Sequence, residues 1–175
     1  MKRYIRLAAF VCSVGLLMCC TTLAGAASLS IFPHPLVASP GNSVLMSVDY
    51  KAQGAQVASL QFDLFYDSSI LSITTATAGS DAINARKTLS EKLLSPGDLR
   101  FIISGLNQNV MGGGRVAHLT VQVRNSAPAG PYRLFLCKVV ASDPNGLLVP
   151  IKVTGGTNSE RHKGLGKRCT SGGTR

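Results

Sequence analysis

Short segments of alternating apolar and polar residues recur along most of the chain, separated by Gly, Pro, Asn or Asp. In the segment LQFDLFYD, residues 60–67, every second residue is apolar and large. A strand with one buried face requires this period of two, because successive side chains point to opposite faces. The alternation predicts the inward positions Leu60, Phe62, Leu64 and Tyr66, and the outward positions Gln61, Asp63 and Phe65.

Segments of the same kind begin near residues 28, 44, 70, 99, 115, 132 and 147. Turn residues lie between them, as in Pro40-Gly41 and in Asp143-Pro144-Asn145-Gly146. The segment DAINARKTLSEKLLSPGD, residues 81–98, contains good helix formers and indicates a short helix or an irregular excursion. About nine short strands and at most one short helix predict an all-β fold, a β-sandwich.

The two ends of the chain differ from this domain, which spans residues 27–154. Basic residues at positions 2, 3 and 6 precede the apolar run LAAFVCSVGLLMCC, and small residues follow up to Ala26. This pattern predicts a signal peptide over residues 1–26 and a secreted protein. The run is shorter than the roughly 20 residues of a membrane span, and the residue before Cys19 is not small, which disfavours a membrane span and a lipid anchor. Residues 155–175 have almost no apolar content and predict a disordered basic tail.

The net charge of +10 is spread unevenly along the chain. Residues 1–26 carry three basic residues and residues 155–175 carry five basic and one acidic. Residues 27–154 carry ten basic and seven acidic residues and are close to balanced. The sequence therefore gives no basic patch for nucleic acid.

Cys137 and Cys169 are the cysteines that remain after removal of the predicted signal peptide. Cys137 lies in the apolar run YRLFLCKVV, which predicts a buried free thiol. An oxidising compartment would also permit a disulfide between Cys137 and Cys169. No Cys or His spacing typical of a metal site occurs, and we expect no metal and no cofactor.

Asp63 and Asp67 are the candidates for a catalytic carboxylate pair. Four residues along a strand separate two side chains by roughly 13 Å, beyond the limit of about 9.5 Å for two carboxyl groups that share a glycosidic bond. We therefore interpret Asp63 as a solvent-facing strand residue and Asp67 as a turn former, and expect no enzyme. A hydrolase that uses Asp63 remains as an alternative.

The order of motifs resembles that of the cohesin domain over residues 28–154. The resemblance rests on ASPGNSVLMSVDY, VASLQFDLFYDSSILSITTATAG, VAHLTVQVRNSAPAGPYRLFL and VVASDPNGLLVPIKV. It implies a nine-stranded jelly-roll β-sandwich without catalytic activity, which binds dockerin modules of polysaccharide-degrading enzymes. The chain departs from the family in Ser68, where a proline is frequent, and in having one module and no visible dockerin segment.

The resemblance also implies where a partner is held, namely on the outward residues of the strands beginning near Val57 and Arg115. The corresponding partner-binding residues are Gln61, Asp63 and Phe65. An outward aromatic ring flanked by polar groups suits recognition, because an apolar anchor supplies affinity and a polar rim supplies register. In one alternative, segment 82–96 covers Phe65; in others, the domain binds polysaccharide, as related carbohydrate-binding modules do, or has a structural or adhesive role.

Overall fold

Twelve strands and one short helix form the part of the chain that the computed structural model describes, residues 26–154. The elements are β1 (Ser28–Phe32), β2 (Leu36–Ala38), β3 (Ser43–Lys51), β4 (Ser59–Phe65), β5 (Leu71–Ala78), α1 (Ser80–Asn84), β6 (Thr88–Ser95), β7 (Asp98–Ser104), β8 (Gly114–Val123), β9 (Gly130–Tyr132), β10 (Phe135–Ser142), β11 (Leu148–Val149) and β12 (Lys152–Thr154).

The strands form two five-stranded sheets and a small two-stranded one. The first sheet has the order β12-β1-β3-β8-β5, and the second sheet has the order β11-β10-β4-β7-β6. Strands β2 and β9 form the two-stranded sheet. All described strand pairs are antiparallel except β1 with β12. This architecture confirms the predicted all-β, jelly-roll β-sandwich with one short helix.

The core lies between the two five-stranded sheets and is built from the inward positions that the alternation predicts. Leu60, Phe62 and Leu64 of β4 are buried, and the ring of Phe62 packs 5.3 Å from that of Phe101 in β7. Burying one such side chain contributes about 1.5–3 kcal/mol, so these strands are held mainly through their inner faces. The outward Leu45 of β3 is 64% exposed, as its parity predicts.

Segment 81–98 is only partly as predicted. The short helix is present as α1, but residues 88–95 form β6, a strand at the edge of the second sheet. Strand β6 pairs with β7 through seven backbone register positions, from Thr88 opposite Ser104 to Ser95 opposite Asp98. Sheet pairing therefore overrides the helix propensity of its Glu, Lys and Leu residues.

The predicted turns are confirmed. Asp67 Oδ1 accepts a hydrogen bond from the backbone N–H of Ser69 at 2.9 Å, which is the predicted turn-forming role. Asp143 Oδ1 accepts from the backbone N–H groups of Asn145 at 2.9 Å and Leu147 at 2.8 Å. These side chains fix the chain reversals after β4 and between β10 and β11.

Cys137 corrects one expectation. It is buried, as predicted, but it is disulfide-bonded, so the interpretation as a free thiol is wrong. Residues 26–154 contain no second cysteine, and Cys169 lies outside the described residues. The predicted tail and the predicted signal peptide before Ala26 lie outside them as well. Between residues 26 and 154, no helix has the length and apolar character that crossing a membrane requires.

Candidate interaction site

Strand β4 is the central strand of the second sheet and lies between β10 and β7. Its residues Gln61, Asp63 and Phe65 lie on the outer face of that sheet. They alternate with the buried residues of β4, so the predicted parity is correct for all three. The structure therefore brings the three predicted partner-binding residues onto one surface. Their surroundings come from β7 and β10, which pair with β4 on either side.

Asp63 is not the solvent-facing residue that its parity suggests, because its side chain has 0% exposure. Arg100 of β7, directly opposite in register, donates from Nε to Asp63 Oδ1 at 2.7 Å and from Nη2 to Oδ2 at 2.9 Å. Lys138 of β10 places Nζ 3.1 Å from Asp63 Oδ2. The long side chains of two neighbouring strands thus cover an outward carboxylate.

This cluster settles the charge state of Asp63. Burial alone would raise the pKa of the carboxyl group, but hydrogen bonds and charge from Arg100 and Lys138 outweigh it and hold the pKa below its ordinary value. The same pairing raises the pKa of Arg100. The site therefore contains one buried anion held by two partly exposed cations at neutral pH.

Lys138 reaches Asp63 from an irregular position in β10. The pairing of β10 with β4 shifts register between Cys137 and Val140, and Lys138 has a φ of +47°, in the left-handed region. A β-bulge of this kind re-aims side chains. Here Lys138 Nζ lies 5.4 Å from the ring centroid of Phe65 as well as beside Asp63.

Two exposed apolar side chains flank Gln61. Val140 of β10 and Ile102 of β7 are its register partners on either side, and they are 46% and 37% exposed. We call the combined surface the outer patch. It consists of Gln61, Asp63, Phe65, Arg100, Ile102, Lys138 and Val140.

Sequence reasoning missed four members of this patch. The alternation in LRFIISG, residues 99–105, already places Arg100 and Ile102 outward, so parity could have found them. Lys138 and Val140 follow from the bulge in β10, and a strict period of two does not reveal a bulge.

The expectation that strands near Val57 and Arg115 share the partner-binding face is wrong. The first of them, β4, lies in the second sheet, whereas β8, which contains Arg115, lies in the first sheet opposite β3. Each sheet buries one face in the core, so the outward residues of β4 and β8 point to opposite sides of the sandwich.

The alternative in which segment 82–96 covers Phe65 also fails. Strand β6 extends the second sheet at its edge, beside β7, and does not form a layer over β4. The ammonium group of Lys138 lies over the Phe65 ring. Phe65 remains partly exposed.

The described residues show no grouping of three or more His, Cys, Asp or Glu side chains that could hold a metal ion. Asp67, the other carboxylate of the suggested catalytic pair, is bound to the backbone and hydroxyl of Ser69.

The fold places the chain among jelly-roll β-sandwich domains. The family model of the cohesin domain matches residues 36–160, which is more than half of the chain. The chain belongs to the cohesin family, as the order of its motifs predicts. No curated protein matches the chain in sequence.

Solved structures agree with this assignment at the level of the fold. The chain is similar to the sixth cohesin of Acetivibrio cellulolyticus scaffoldin B, solved in complex with a mutant Cel5 dockerin, with 22% identity, a TM-score of 0.65, and coverage of 75% of this chain and 96% of that one. It is also similar to the cohesin CaCohA2 from Clostridium acetobutylicum, with 15% identity, a TM-score of 0.61, and coverage of 73% and 86%. A non-cellulosomal cohesin from the archaeon Archaeoglobus fulgidus matches with 16% identity, a TM-score of 0.59, and coverage of 74% and 86%.

Proposed function

We propose that this protein is a secreted, non-catalytic cohesin module that binds a dockerin-type protein module through the outer patch, in an assembly associated with polysaccharide breakdown. Membership of the cohesin family supports the proposal. So does the similar cohesin of Acetivibrio cellulolyticus, which was solved with a dockerin bound.

The outer patch is the observation that carries this proposal. Its apolar groups lie at its two ends: Val140 and Ile102 are exposed on either side of Gln61, and the ring of Phe65 lies further along β4. Charged groups that are already fixed lie between Gln61 and Phe65. Apolar anchors beside oriented polar groups are the usual composition of a protein-binding surface.

The three partner-binding residues take different roles in this proposal. Gln61 and Phe65 contact the partner, because they are outward and partly exposed. Asp63 is fully buried and acts as a positioning residue, since it holds the side chains of Arg100 and Lys138 in place.

The state of the Asp63 carboxylate supports a role without catalysis. A general acid needs a raised pKa, whereas Arg100 and Lys138 hold the pKa of Asp63 low. If Asp63 served a hydrolase instead, Asp63→Asn would abolish activity on a panel of polysaccharides. We expect no activity in either form.

The N-terminal sequence supports secretion. Expression of the full chain in a bacterium with a general secretion pathway, followed by mass spectrometry of the exported protein, should give a mature N-terminus at Ala27. Retention of residues 1–26 on the exported protein would contradict the predicted signal peptide.

Titration calorimetry with a panel of dockerin modules, including the Cel5 dockerin of Acetivibrio cellulolyticus, tests the main proposal. We expect at least one dockerin to bind, Ile102→Asp to weaken that binding by more than tenfold, and Leu45→Asp to leave it unchanged. Leu45 is the matched control, because it is an exposed aliphatic strand residue on the outer face of the first sheet. Loss of binding in Leu45→Asp but not in Ile102→Asp would overturn the assignment of the face.

Pull-down on insoluble polysaccharides tests the carbohydrate-binding alternative. Retention on cellulose or xylan that is lost in Phe65→Ala, without binding to any dockerin, would replace the proposed function. We expect the protein to remain in the supernatant.

A further inference from the structure

We propose that the Arg100–Lys138 pair of the outer patch receives a carboxylate from the partner, so that the partner contributes an acidic residue flanked by apolar residues. This inference rests on the proposed function, because it names the chemistry of the partner at the same surface.

The charges of the patch do not cancel. Arg100 and Lys138 both contact the carboxylate of Asp63. Asp98 also interacts electrostatically with Arg100, and Lys92 of the neighbouring strand β6 is the register partner of Arg100. On the outer face formed by β10, β4, β7 and β6, these three cations face the anions Asp63 and Asp98, both of them buried. The exposed charge is therefore positive, and a partner group of opposite charge is favoured.

The two cations also retain hydrogen-bonding capacity. Arg100 uses Nε and Nη2 toward Asp63, which leaves Nη1 outside this bidentate pair. Lys138 directs one of its three N–H donors to Asp63 Oδ2. Both cations therefore keep donors that Asp63 does not use.

The exposure of these groups points in the same direction. The side chains of Arg100 and Lys138 are 30% and 40% exposed, whereas that of Asp63 is 0% exposed. An approaching partner therefore meets the cations and not the anion. Asp63 holds the two cationic side chains in place before a partner binds. An incoming carboxylate therefore loses little free energy to the ordering of side chains.

The apolar residues of the patch indicate which residues flank that carboxylate in the partner. Val140 and Ile102 are the register partners of Gln61, the next outward residue of β4 beside Asp63, and both are exposed. Burying an exposed aliphatic side chain against an apolar partner group is favourable at about 25 cal/mol per Å². A partner segment with Asp or Glu between apolar residues would satisfy both parts of the patch.

Peptide display tests this inference without a known partner. A random octapeptide library is selected on the immobilised full-length protein and, in parallel, on Lys138→Glu and Lys152→Glu. Lys152 is the control, because it is an exposed lysine of β12 in the first sheet. Circular dichroism melts establish that each variant is folded, and Lys92→Glu replaces Lys138→Glu if the latter does not fold.

Wild type and Lys152→Glu should both enrich peptides with Asp or Glu between apolar residues by tenfold or more over the input library. Selection on Lys138→Glu should not enrich these acidic peptides. It should enrich peptides with Lys or Arg instead. Equal acidic enrichment in wild type and Lys138→Glu, or no acidic enrichment in wild type, would overturn the inference. Acidic enrichment without binding to any dockerin would refute the proposed function alone, and dockerin binding that is unaffected by Lys138→Glu would refute this inference alone.

Discussion

The two sheets of this cohesin domain present different outer faces to solvent. On the first sheet, Thr75 and Thr120 of adjacent strands share a hydrogen bond of 2.7 Å between their Oγ1 atoms, and Leu45 is exposed. On the second sheet, Asp63 is fully buried under Arg100 and Lys138. The same alternation of residues therefore produces a hydroxyl pair on the first sheet and, on the second sheet, an ionic cluster in which two cationic side chains cover an anion.

The difference teaches that outward parity and exposure are separate properties. Long cationic side chains on the second sheet lie across the strands and bury an anion, which fixes charge on a surface that is still accessible. We therefore propose the second sheet as the binding face.

The largest difference between the faces concerns Cys137, which lies opposite Asp63 in register and is disulfide-bonded. Reduction should lower the free energy of unfolding by about 2–4 kcal/mol, as for other native disulfides. Urea unfolding with and without dithiothreitol measures this effect. Non-reducing peptide mapping should find Cys137 in a linked peptide, with Cys169 as the partner that the sequence suggests, and a fully free Cys137 thiol would contradict the prediction.

A smaller effect is expected from breaking the ionic cluster. Arg100→Ala leaves Asp63 buried with Lys138 as its remaining cation, and should lower the free energy of unfolding by about 2 kcal/mol. The matched change on the first sheet, Thr120→Ala, removes one exposed hydroxyl pair and should cost less than about 1 kcal/mol. Urea unfolding measures both losses of unfolding free energy. Equal losses in the two variants would contradict the expectation that the ionic cluster stabilises the fold more than the hydroxyl pair does.

The smallest effect is the dependence of stability on pH. The folded state holds the pKa of Asp63 below its unfolded value, so its contribution is complete at neutral pH and is lost as the pH falls through the lowered pKa, below about pH 4. Asp63→Asn should therefore lose less stability than wild type between pH 5 and pH 2. Parallel pH profiles of the two proteins would contradict the assignment of the low pKa.

The sequence was sufficient for the sandwich and for the side of β4 on which each residue lies, because a period of two follows directly from strand geometry. It was not sufficient for the burial of Asp63, since its covering residue Arg100 is 37 positions away in the chain and Lys138 depends on a bulge. Strand β6 was missed because its residues favour a helix when read alone. The expectation that the outward residues of β4 and β8 lie on one face was mistaken, because parity says which residues are outward but not which sheet they belong to.

Hydrogen exchange in the presence and absence of a bound dockerin tests most directly whether the second sheet is the binding face. We predict slower exchange on binding in β4, β7 and β10, around Gln61, Phe65 and Ile102, and no change in β3, β5 and β8 of the first sheet. Protection confined to the first sheet would contradict the account.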